Sequence, residues 1–464
     1  METWNRRHFL QLGYGAAMSV GGLAQAKGAE SPNGVVDLDL EAKQQWFRIG
    51  GGRALLYGYN GQIPGPVVEA RPGDHVRLRF RNSLGEPTNV HYHGLHVPPT
   101  GSADNSFLMI APGEEFTYEF DLPAWHPGGT FWYHPHVHGL TARQVSRGLA
   151  GVFIVRGELD RIEEIAAAPE SILVLQDFDL GADGVAQEPD LMERMMGRQG
   201  GLVTVNGDVN PKIGIERNGW IRLRIVNGSA SRFYRLHLED HPLQVIGVDG
   251  GALPSPEERD EVLLAPGERA EVMIRGSRPE GSYRLLSLPY DRGVMGMGAT
   301  PGNLRGGTMV LATIVYAGQA GRSWDLPRYL AGVEALPEAT ILRRFSLGQG
   351  MGMGIGGGMQ FTINGRTFDA NRVDTRVRLN TVEDWEFVNV TGMDHPMHVH
   401  TNPFQVLAGN GVPMRAWKDV VLVRAGARVR VRTAFRDYTG PAMYHCHILD
   451  HEDLGMMGRL DIQG

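Results

Sequence analysis

Val203-Thr204-Val205-Asn206-Gly207 decides the fold, because the chain repeats it as Phe361-Thr362-Ile363-Asn364-Gly365 and, more faintly, as Tyr59-Asn60-Gly61. In each full copy, strand-forming residues run into Asn-Gly, a pair suited to a tight turn with positive φ. An alternating apolar/polar stretch follows each copy, at Arg77–Arg81, Ile221–Asn227 and Trp385–Asn389. A Pro-Gly or Ala-Gly turn comes next: Ala111-Pro112-Gly113, Ala265-Pro266-Gly267 and Arg424-Ala425-Gly426. Self-similarity at an interval of about 150 residues predicts three copies of one β-sandwich.

Outward from these repeats the text stays β-like. His75-Val76-Arg77-Leu78-Arg79-Phe80 and Phe116-Thr117-Tyr118-Glu119-Phe120 alternate, fed by turns at Pro72-Gly73-Asp74 and Ala111-Pro112-Gly113-Glu114. Helical periodicity is scarce: Pro189 to Met196 reads as a short helix and Ala416 to Asp419 as one turn. Polar stretches near Gly157–Glu170 and Gly318–Glu338 set the expected domains at 35–157, 170–318 and 338–464. Residues 1–26 read as a leader. Asn5-Arg6-Arg7-His8-Phe9-Leu10-Gln11 resembles a twin-arginine export signal, followed by a Gly/Ala-rich stretch and Ala24-Gln25-Ala26. Periplasmic delivery through the twin-arginine machinery is expected. A net charge of −7 argues against a nucleic-acid partner. No later apolar run is long enough to predict a membrane span in the mature chain.

The chemistry concentrates in histidine. The chain's single cysteine, Cys446, sits in Tyr444-His445-Cys446-His447-Ile448-Leu449-Asp450-His451-Glu452-Asp453-Leu454-Gly455-Met456. A thiolate, two imidazoles and a distant thioether describe a blue-copper site with a weak axial Met. Successive strand side chains point to opposite faces, so His445 and His447 point away from the metal that Cys446 holds and are free to bind others behind it. Paired histidines elsewhere supply partners: His91-Tyr92-His93, His134-Pro135-His136-Val137-His138 and His395-Pro396-Met397-His398-Val399-His400. In His-x-His on a strand both rings face one side, about 7 Å apart along it. The middle copy has only His237 and His241, so the first and third domains are expected to meet around metal. The second would be a spacer or substrate wall.

With these four motifs in this order, the chain resembles the three-domain multicopper oxidases of the bacterial laccase and cuprous-oxidase group. The resemblance implies an all-β protein of three cupredoxin-like Greek-key sandwiches and four coppers. Motif by motif, it implies a type 1 copper on His395, Cys446 and His451 with Met456 axial, and a type 2 copper on His91 and His398. One type 3 copper falls to His93, His134 and His447, the other to His136, His400 and His445. Asp104 and Glu452 match positions where the family keeps proton-donating acids; Asp104 alternatively serves as a turn residue in Ser102-Ala103-Asp104-Asn105. His96 and His138 are expected to support the ligands or face solvent, and His75, His126, His237 and His241 to be structural. The implied activity is single-electron oxidation of phenols and aromatic amines with O2 as acceptor, by a monomer. The alternative is oxidation of Cu(I). Soft thioethers at Met195-Met196, Met295-Gly296-Met297, Met351-Gly352-Met353 through Met359, and Met393 carry that alternative, with Met351, Met353, Met359 and Met393 forming a dock above His395 and His451. A further alternative is a copper-free structural or cell-division relative, which would lack these ligands.

Overall fold

The structure, a computed structural model, describes residues 34–294, 307–316, 320–351, 359–409 and 414–464. The leader 1–26, the Met295-Gly296-Met297 stretch, Met353 and the side chains of Met351 and Met359 lie outside the described residues.

The repeated Asn-Gly does the same work three times. Asn60, Asn206 and Asn364 take φ of 50°, 53° and 54°, each followed by a glycine with positive φ. Each Asn side-chain oxygen accepts a backbone N–H from a neighbouring strand: Glu41 at 2.7 Å, Val174 at 2.8 Å and Ser346 at 2.8 Å. The faint echo at Tyr59 is therefore the same device.

From that turn each sandwich is built alike. The strands Val35–Ile49, Glu170–Phe178 and Ile341–Met351 run parallel to His75–Ser83, Trp220–Asn227 and Thr381–Asn389 respectively. Those in turn pair antiparallel with Glu115–Asp121, Arg269–Arg275 and Arg428–Phe435. The facing sheets also start with a parallel pair: Gly65–Ala70 with Gly151–Val155, Lys212–Ile215 with Met309–Tyr316, and Thr375–Arg378 with Met457–Gln463. Parallel neighbours far apart in sequence need crossings between sheets, which is Greek-key topology. Each sheet pair encloses its own apolar core, exemplified by Leu78, Tyr92 and Phe153, by Leu223, Leu236 and Ile314, and by Trp385, Val399 and Tyr444. Charge stitches the first two sandwiches together: buried Arg224 donates to Thr130 (3.0 Å), Glu170 (2.6 Å) and Glu271 (2.5 Å).

The short helix is present as Leu191–Met196, capped by Asp190 accepting from the Glu193 N–H. The turn expected over Ala416–Asp419 is not helical; Lys418 instead pairs with Phe404 as an isolated bridge, its N–H donating to the Phe404 carbonyl at 2.9 Å. Extended backbone there leaves the Asp419 carbonyl free to accept from outside the segment.

Candidate metal centre

The strand Gly440–Cys446 lies beside His395–Val399, with Met397 opposite Cys446 and His398 opposite His445. Alternation sends Cys446 into the third sandwich and its two histidine neighbours out of the other face. On the inner side, Cys446 Sγ lies 3.5 Å from His395 Nδ1 and 3.9 Å from His451 Nδ1, and those nitrogens are 3.3 Å apart. All three residues are 0% exposed, as is Met456, which shares their core. The outer nitrogens are held: Thr391 Oγ1 meets His395 Nε2 at 2.8 Å, and the Met195 carbonyl accepts from His451 Nε2 at 2.9 Å. Phe361 stacks on the His451 ring at 3.9 Å. Burial pushes the Cys446 thiol up and the His395 imidazole down to about 3. The imidazoles are thus neutral with lone pairs facing the sulfur, and only a cation would make the buried thiolate favourable.

On the other face, His91, His93, His134, His136, His398, His400, His445 and His447 converge, none more than 1% exposed. Ring centroids within the His-x-His pairs lie 4.8 to 6.3 Å apart, closer than their strand spacing because the rings lean into one void. The outward nitrogens are mostly fixed by protein acceptors. His91 Nδ1 donates to Asp104 (2.8 Å), His93 Nε2 to Asp419 (2.9 Å) and His134 Nδ1 to the Pro135 carbonyl (2.8 Å). His398 Nδ1 donates to the Asp419 carbonyl (2.8 Å) and His445 Nδ1 to the Cys446 carbonyl (3.0 Å), while His400 Nδ1 meets Ser106 Oγ (3.1 Å). The inward nitrogens His91 Nε2, His93 Nδ1, His134 Nε2 and His398 Nε2 have no hydrogen-bond partner, and neither do His136 Nδ1 or the two nitrogens of His447. His445 Nε2 faces His400 Nε2 at 3.0 Å and His136 Nε2 at 3.1 Å.

This arrangement fits metal. A buried polar atom without a partner costs about 1–3 kcal/mol, and facing lone pairs repel. Burial, reinforced by neighbouring imidazoles, holds these histidines far below their ordinary pKa, His134 and His445 at about 3, so protonation does not relieve the conflict. Two nitrogens sharing one ion at about 2.0–2.1 Å lie about 3.3 Å apart in a tetrahedral site, close to the spacing found. Ligating atoms group as His91/His93/His398, His93/His134/His447, His136/His400/His445 and His395/Cys446/His451, each within 4.8 Å. All imidazole and thiol positions singled out from the motifs are brought together.

Both acids lie at the cluster. Asp104 is no mere turn residue: its carboxylate also accepts from the Tyr92 N–H at 2.9 Å, and burial lifts it to about 7. Glu452, 0% exposed, lies 3.1 Å from His445 Nδ1 and 3.7 Å from His136 Nε2, and burial raises it well above the carboxylate range.

Some positions differ from expectation. Met393 is 0% exposed inside the third core, so it does not belong to a surface dock. Instead, Met195 of the short helix covers His451. The second sandwich is more than a spacer or wall. A Cβ on Gly267 would come within 2.9 Å of the His447 ring, and Arg269 donates to both Asp419 oxygens, at 2.7 and 2.6 Å. Asp419, Arg269, Thr391 and Ser106 carry no motif that separates them from ordinary turn and strand residues. Of the remaining histidines, His96 is buried between Trp125 and Tyr438. His126 Nε2 accepts from the His96 backbone N–H, His138 packs on Phe368, and His75 pairs with Asp121.

Three stretches of the chain, 41–160, 179–318 and 346–463, each match a domain family described as multicopper oxidase. The multicopper oxidase mco of Staphylococcus haemolyticus is 31% identical, covering 94% of this chain and 91% of that protein. The cell division protein FtsP of Yersinia pestis is 30% identical over 98% of each chain. A solved structure described as a multicopper oxidase from Campylobacter jejuni, a metallo-oxidase, superposes with TM-score 0.82 at 32% identity, covering 95% of this chain and 94% of that one.

Proposed function

The chain belongs to the multicopper oxidase family, and from that premise we propose a laccase-like oxidase holding four coppers. One would sit on His395, Cys446, His451 and the neighbouring Met456, and one on His91 and His398. His93, His134 and His447 would hold the third, and His136, His400 and His445 the fourth. Bound there, copper supplies single-electron uptake from a small reductant and reduction of O2 to water. The observation that carries this reading is the ring of unpartnered, inward-facing imidazole nitrogens behind a buried thiol.

The protein's part is to orient, exclude water and supply protons. Outer acceptors fix the tautomer of most rings so that one lone pair faces inward. Cys446 stands covalently between His445 and His447, joining the two sites by backbone alone. Asp104 and Glu452 stand beside His91 and His445, where burial raises both carboxyls, Asp104 to about 7, and so favours the protonated form that can give a proton.

For the reductant we propose phenols and aromatic amines, since the helix over His451 presents exposed Leu191 and Met192, an apolar surface suited to a flat ring. A second reading, Cu(I) oxidation, draws on Met192, Met195 and Met196 in that helix and on the metallo-oxidase relative. A copper-free structural or cell-division role would leave the unpartnered nitrogens costing stability with no return. Export to the periplasm by the twin-arginine route, and action as a monomer, complete the proposal. The test is copper content and absorption near about 600 nm, then O2 uptake with a phenol and with Cu(I). A fully loaded protein that consumes no O2 with either donor would sink the reading.

A further inference from the structure

We propose that Asp419 is a positioning residue for the imidazole cluster, locked by Arg269 from the second sandwich, and that the pair dictates which nitrogen His93 turns inward. The inference rests on the copper-binding reading above.

Asp419 grips histidines from two sandwiches at once. Its Oδ1 accepts from His93 Nε2 at 2.9 Å, and its backbone carbonyl accepts from His398 Nδ1 at 2.8 Å. The two rings stack at 3.8 Å with planes 14° apart. A carboxylate only accepts, so the proton of His93 must sit on Nε2 and the lone pair on Nδ1. His93 thereby presents Nδ1 to the cluster, whereas His91, His134 and His398 present Nε2.

Arg269 leaves Asp419 little freedom. Its two terminal nitrogens bind the two carboxylate oxygens at 2.7 and 2.6 Å, a bidentate charge-assisted pair. Its remaining donors go to the carbonyls of Thr130 (2.9 Å), Gly267 (3.0 Å) and Asp249 (2.9 Å), so the guanidinium is held from every side. Lys418, next in the chain, is bound by Asp249 at 2.7 Å and Glu268 at 3.0 Å. A Cβ on Gly94 would lie 2.6 Å from both Arg269 and Asp419, which leaves no space for a bridging water. An imidazole of the first sandwich and one of the third are thus aligned by a guanidinium of the second.

The test uses the full chain loaded with copper, comparing wild type with Asp419→Asn, Asp419→Ala and Arg269→Lys. Copper per chain after dialysis against a chelator, the paramagnetic signal of nitrogen-ligated Cu(II), the blue absorption and the thermal midpoint are measured together. Loss of an outer-shell partner typically weakens metal binding ~10–100-fold. The expected result is loss of imidazole-held copper, an altered nitrogen-ligated signal and an unchanged blue band. Asp419→Asn, nearly isosteric, decides the matter if Asp419→Ala does not fold. Full copper retention in the Asn and Lys variants overturns the inference, as does loss of blue and imidazole copper in equal proportion. Wild-type protein that takes up no copper overturns the premise instead, and is recognised before any variant is compared.

Discussion

Glu452→Gln offers the sharpest test of proton supply. The side chain is 0% exposed and burial drives its carboxyl well above the ordinary carboxylate range, which favours the neutral acid. Exchanging a neutral carboxyl for an isosteric neutral amide leaves shape and burial unchanged, and the fold is expected to survive. What disappears is the transferable proton 3.1 Å from His445 and 3.7 Å from His136. Positioned proton transfer is worth ~10²–10⁴-fold, equivalent to about 3–5 kcal/mol of barrier. Rapid mixing separates the two halves of turnover: bleaching of the blue colour by substrate, and its return on adding O2. Bleaching should match wild type because the partners that hold His395, Cys446 and the outer edge of His451 do not include Glu452. Recovery should slow by the stated factor. The wild-type recovery rate should also fall as pH rises through the raised pKa of Glu452, since the protonated acid is the active form, and the variant should lose that dependence. Recovery at the wild-type rate in Glu452→Gln would refute the reasoning.

Asp104→Asn should likewise slow recovery, and because Asp104 sits at about 7 the wild-type rate should decline above neutral pH; a profile identical in wild type and variant removes Asp104 from the proton path. Cys446→Ser should abolish the blue absorption while the far-ultraviolet dichroism stays β-like, and a serine variant that remains blue contradicts the site. Met456→Leu should keep the colour and raise the reduction potential, so an unchanged potential excludes Met456 as axial ligand. Met192→Ala with Met195→Ala should lower oxidation of Cu(I) and leave phenol oxidation equal or faster. Parallel loss of both activities in that double variant marks the helix as purely structural.

Much of this protein was legible before any tertiary contact was known, because its strongest signals are local. An Asn-Gly pair after alternating residues needs only positive φ to become a turn, and Asn60, Asn206 and Asn364 all comply. Alternation around Cys446 separates the thiol from His445 and His447 whatever the rest of the chain does. Residue type alone announced the chemistry, since imidazole, thiol and thioether are metal donors wherever they meet. The tertiary structure decided what depends on backbone atoms and distant partners. The Met195 carbonyl on His451 and the Asp419 carbonyl on His398 are main-chain acceptors, which every residue owns and no motif marks. Met393, beside the ligands in sequence, forms an isolated bridge with Gly293 just before the strand His395–Val399 and packs into the third core. Arg269 and Gly267, in a domain almost free of histidine, form one side of the cluster. Sequence separation hides such pairs: Arg269 and Asp419 lie 150 residues apart, and only the packing of the three sandwiches brings charge to charge.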